Sequence, residues 1–116
     1  GQFKPMQYAA VEALSAKKDW YDNMNRVYRS RRDLAGQIMR TLGCEYDENQ
    51  VGMFLWGRIP DSAESGEAIA NKVLYEANVF LTPGFIFGSR GERYIRISLC
   101  CKNETLEEAL KRIENL

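Results

Sequence analysis

Arg96 stands between Ile95 and Ile97 in the stretch LTPGFIFGSRGERYIRISLC, residues 81–100. The β-branched residues around it read as a strand, so the two isoleucines take one face and Arg96 the other. A guanidinium at such a position has two uses. It can lie on a solvated strand face, or it can offer a planar fork of donors to a carboxylate while keeping its charge. The Pro83-Gly84 turn and the glycines at 84, 88 and 91 are surroundings in which a ligand often lies close to backbone. As a phosphate loop, GFIFGSRG is weak, because it follows a strand without opening a helix. The residues alone leave both uses of Arg96 open.

Little else in the chain has chemical spacing. There is no histidine, which removes the usual general base and the commonest metal ligand. Cys44, Cys100 and Cys101 form no zinc-site spacing, and their odd number reads as reduced thiols in a cytosolic setting. The acids Glu45, Asp47 and Glu48 fit a polar turn without a metal, and the Ser15–Lys18 segment fits a solvated helix junction. No pair of acids is placed as general acid and base. Sixteen Lys and Arg balance sixteen Asp and Glu, which argues against a nucleic-acid footprint. No apolar run approaches a membrane span.

The elements that must position Arg96 follow from periodicity. Pro5 opens a short helix over residues 6–15. Asp19 is placed to cap a longer one, with Trp20, Met24, Val27, Tyr28, Leu34, Ala35, Ile38 and Leu42 at three- and four-residue spacing. Arg26, Arg29, Arg31, Arg32 and Arg40 mostly take its other face and read as solvated. Gly43 ends it. Residues 51–56 read as a strand, where Gly52 marks a bulge or close backbone approach. Residues 65–78 read as a helix with Ile69, Val73, Leu74 and Ala77 on one face. Strands follow at 79–82, stopped by Pro83-Gly84, and at 93–100. A last helix over 103–116 has Asn103 as its N-cap and Leu106, Ala109, Leu110 and Ile113 as its buried stripe. The order α-α-β-α-β-β-α predicts one α+β domain, with helices on a small, mostly antiparallel sheet of about three strands.

In that order four stretches resemble the small C-terminal domain of class I/II, fold-type I, pyridoxal-phosphate aminotransferases of the aspartate aminotransferase superfamily. They are FKPMQYAAVEAL, WYDNMNRVYRSRRDLAGQIMRTLG with its Tyr28, Arg31, Arg32 and Asp33, VGMFLWGRIP, and VFLTPGFIFGSRGERYIRISLC. The last carries Pro83, Gly84, Phe87, Gly88, Gly91, Arg96 and Ser98 in the family's spacing, and together the four span nearly the whole chain.

The resemblance implies that Arg96 grips the α-carboxylate of an amino-acid substrate and that Phe85 and Phe87 line the mouth of the cleft. It implies that residues 1–116 are the small domain of a longer enzyme exchanging an amino group between an amino acid and a 2-oxo acid. The cofactor, pyridoxal 5'-phosphate, belongs to a large domain of the same chain, because no lysine here has the family's Schiff-base surroundings. No catalytic, cofactor-binding or metal-binding residue is assigned to this stretch, and Arg93, Cys100 and Cys101 receive no role. A homodimeric, cytoplasmic parent that binds neither nucleic acid nor membrane completes the expectation. The alternatives are another fold-type I reaction (lyase, decarboxylase or synthase) and a stand-alone module that binds amino acids without catalysis. Phe3, Met6, Tyr8 and Val11 are expected to be left exposed without the large domain.

Overall fold

Four helices and three strands make up the computed structural model, which describes residues 1–116. They are α1 (Lys4–Leu14), α2 (Lys18–Thr41), β1 (Phe54–Arg58), α3 (Gly66–Ala77), β2 (Thr82–Pro83), β3 (Tyr94–Ser98) and α4 (Asn103–Glu114). The order of helices and strands is the expected one. The strands form a single antiparallel sheet in the order β1-β3-β2, with Arg96 opposite Trp56 on one side and Thr82 on the other. Arg96 therefore sits in the middle of the central strand, where the ladder fixes its backbone on both sides. No helix is long and apolar enough to cross a membrane.

Period-2 alternation sorts the sheet into two faces. Leu55, Ile95 and Ile97 point to one face and join Ala35, Ile38 and Met39 of α2, Val73 and Ala77 of α3, and Leu106, Leu110 and Ile113 of α4 in one core. Phe54, Trp56, Tyr94, Arg96 and Ser98 take the opposite face. The stripes foreseen on α3 and α4 are largely the buried ones, with Ile69, Leu74 and Ala109 at their margins.

Several local expectations are corrected. Asp19 lies in the first turn of α2 and Asn103 is the first residue of α4; the cap positions are Lys17 and Lys102, and neither makes a side-chain cap bond. The Asn103 amide instead donates to Ser30 Oγ at 2.7 Å, tying α4 to α2. The end of α2 behaves as expected. Cys44 N–H bonds to Met39 C=O and Gly43 N–H to Arg40 C=O, the paired bonds that close a helix before a glycine turn. Only the C-terminal half of α2 is covered: Trp20 and Val27 stay exposed, and Ala35, Gly36, Ile38 and Met39 are buried.

The first strand starts three residues later than its apolar run. Gln50 uses both ends of its side-chain amide on the backbone of Trp56, at 2.7 and 2.9 Å, which folds residues 50–53 back along β1. Gly52 has φ +97° in open space, so it serves a turn rather than a bulge or a close approach. The second strand shrinks to Thr82–Pro83 and includes the proline expected to stop it. Proline is tolerated there because β2 is an edge strand, paired on one side only. The first helix, α1, has no buried residue, and Phe3, Met6, Tyr8 and Val11 are exposed as expected.

Candidate functional site

The open face of the sheet is built from diagonal pairs. In the antiparallel register Trp56 lies opposite Arg96 and Phe54 opposite Ser98. Yet Trp56 stacks on Tyr94, ring centroids 5.0 Å apart and nearly parallel, and Arg96 extends the other way over Phe54. Diagonal neighbours across two strands are within reach of long and aromatic side chains. The Arg96 guanidinium carbon lies 4.1 Å from the Phe54 ring centroid and 4.6 Å from that of Phe87. Phe87 also packs edge-on against Trp56, at 6.1 Å. A cation over aromatic faces is held by the ring quadrupole.

The N–H donors of Arg96 are unspent. Arg96 makes no ion pair, and its Nε is buried with no hydrogen-bond partner. A buried donor left unpaired costs free energy. Arg96 is thus a half-buried cation whose position is fixed by strand and rings and whose N–H groups have no acceptor within the chain.

Phe87 arrives through the loop that the sequence singled out. Residues 84–91 form two single 3₁₀ turns, Gly84–Phe87 and Ser89–Gly91. Gly84 and Gly91 are packed back to back, so a side-chain carbon on either would run into the other's carbonyl oxygen. A glycine pair is what allows the loop to fold over and return Phe87 to the sheet. Phe85 does not join Arg96; it lines a separate hollow with Ser65, Glu67, Ser89 and Glu92. The largest groove, about 550 Å³ between α4 and residues 78–82, does not include Arg96 either.

Other arginines do structural work that the sequence did not reveal. Arg93 donates to the carbonyls of Ala63 at 2.7 Å, Pro60 at 2.8 Å and Glu64 at 3.1 Å, strapping the β1–α3 connection to β3. Arg31 donates to Leu99 C=O and Arg32 to Gly52 C=O, each at 3.0 Å, so this pair is not merely a solvated helix face. The three cysteines are free. Burial pushes the Cys44 thiol up to about 11, which keeps it protonated and unreactive at neutral pH. Phe54 and Trp56 lie inside the strand expected over residues 51–56 but received no site role, because their partners across the sheet depend on a pairing register the sequence does not display; their i, i+2 spacing was the available signal.

The family described as aminotransferase class I and II matches residues 3–113. This chain belongs to that family. It is 36% identical to an LL-diaminopimelate aminotransferase of Halothermothrix orenii over 99% of this chain and 29% of that protein. It is 34% identical to transaminase BacF of Bacillus subtilis over 100% of this chain and 29% of that protein. Among solved structures, apo-BacF superposes with a TM-score of 0.76 at 34% identity, covering 99% of this chain and 30% of that one. An aromatic aminotransferase from Pyrococcus horikoshii gives 0.78 at 33% identity, covering 94% and 30%. The chain therefore spans about 30% of the length of the aminotransferases it matches.

Proposed function

We propose that residues 1–116 act as the small C-terminal domain of a pyridoxal-phosphate aminotransferase, in which Arg96 binds the α-carboxylate of the amino-acid and 2-oxo-acid substrates. The observation that carries this is the guanidinium itself: held over Phe54 and Phe87, with Nε buried and no acceptor on its own chain. Family membership supplies the chemical context. A carboxylate is the acceptor that matches such a fork, with two parallel charge-assisted bonds. Fixing that end of the substrate fixes where its α-carbon lies, and this orientation is the domain's contribution.

The cofactor supplies the electron sink for amino-group transfer when bound. This chain's residues do not fit it by themselves. Every lysine is exposed, and the face around Arg96 offers neither an amine for a Schiff base nor an acid for the pyridine nitrogen. In this proposal the cofactor is held by a large domain of the same polypeptide, which also covers Phe3, Met6 and Val11 of α1. A homodimeric parent fits the same proposal, and the three free thiols favour a cytoplasmic one.

The test uses the full-length enzyme. Arg96→Leu is expected to lower kcat/KM for an amino acid by about two to four orders of magnitude, the cost of roughly 3–5 kcal/mol for leaving a desolvated carboxylate unpaired. The matching amine, which lacks the α-carboxylate, should be almost unaffected. Arg96→Lys should recover only part of the loss, because an ammonium cannot reproduce the fork. Equal losses for acid and amine would contradict the proposal.

A further inference from the structure

We propose that Phe54 is a positioning residue for Arg96, setting the direction in which its N–H groups face. The proposal concerns geometry; its use for a substrate rests on the carboxylate reading above.

Three observations converge on Phe54. Its ring makes the shorter of the two contacts with the guanidinium, 4.1 Å against 4.6 Å for Phe87. It is carried by β1, where Phe54 pairs with Ser98 and the preceding Met53 C=O accepts from Leu99 N–H at 2.8 Å. Phe87 is carried by a single 3₁₀ turn followed by Gly88 at φ +130°. Side chains held on regular elements are placed more precisely than those on turns. The cross-strand neighbour that could compete for Arg96, Trp56, is occupied by its stack on Tyr94.

The consequence is a division of labour. An arginine side chain has several rotatable bonds and loses much freedom when ordered. With two rings against the guanidinium, the approaches left to an acceptor are those the rings do not cover, and a carboxylate that lies in the guanidinium plane there makes two parallel bonds. Phe54 bears the ordering cost before any ligand arrives, which is how pre-organisation raises affinity.

The experiment reads Arg96 directly, by NMR of the 116-residue chain labelled with ¹⁵N at arginine Nε. In the wild type the Arg96 Nε–H should be shifted by the ring currents of Phe54 and Phe87, away from exposed arginines such as Arg29, and slow to exchange with solvent. Phe54→Leu should return the signal toward the exposed position and raise its exchange rate by about tenfold, the population change expected for losing a cation–π contact of this kind. Phe87→Leu should have the smaller effect, and Phe54→Tyr should preserve the wild-type signal. The Arg93 Nε–H and the Ile95 methyls should not move in any of these variants. An Arg96 signal unmoved by Phe54→Leu would overturn the proposal. So would Arg93 and Arg96 shifting together, which is the mark of general loosening. No substrate is present, so this can fail while the acid-against-amine comparison for Arg96→Leu succeeds, or the reverse.

Discussion

Two arginines three residues apart, one just before β3 and one within it, are used in opposite ways. Arg93 lies at the corner where the β1–α3 connection meets the sheet and donates to three backbone carbonyls. Arg96 lies on the open face, over two rings, with no acceptor at all and a buried Nε. Both are half-buried, so exposure does not separate them. What separates them is where the donors go. Carbonyls of a connecting segment need partners when they are covered, and an arginine that satisfies them is part of the fold. Arg96 has a covered, unspent Nε that costs the fold something, and the role proposed for it is to meet a ligand with its remaining donors. Where the donors go, more than position in a strand, separates the structural Arg93 from the Arg96 proposed to bind.

Arg31 falls between these extremes, with one bond to Leu99 C=O, a contact to the Tyr28 ring at 5.5 Å and a buried unpaired Nε. Graded effects on stability follow. Arg93→Met should destabilise the chain most, by about 3 kcal/mol, since charge-assisted bonds are lost and several carbonyls are left without them. Urea unfolding checks this; an effect near zero would break the comparison at its structural end. Arg31→Met should cost about 1 kcal/mol in the same assay, for a single lost bond partly offset by an apolar stem that keeps its packing. A loss as large as that of Arg93→Met would blunt the ranking.

The sequence made some of this legible and hid the rest for physical reasons. The stripes of α3 and α4 and the inward Ile95 and Ile97 were readable because burial imposes a local period. The start of β1 was not, because Val51 and Met53 are apolar yet exposed, and the Gln50 clamp that excludes them from the strand is a side-chain contact. The exposed N-terminal half of α2 carries an apolar pattern with nothing in this chain to cover it. Arg96 was legible as a candidate from its motif. Its neighbour Phe54 was not, because a diagonal cross-strand pair depends on the register of a strand some forty residues earlier in the chain. Arg93 was opaque for the same reason: its acceptors lie 29 to 33 positions away.

Under the proposed role, Arg96 serves a ligand and contributes almost nothing to the fold. The unfolding free energy of Arg96→Leu in urea tests it most directly. A value within about 0.5 kcal/mol of the wild type is expected, because no hydrogen bond or ion pair is lost, and the removal of an unpaired buried donor together with leucine's own packing on the rings offsets the lost cation–π contacts to Phe54 and Phe87. A loss of about 2 kcal/mol or more, approaching that of Arg93→Met, would contradict it and make Arg96 a structural residue of the strand.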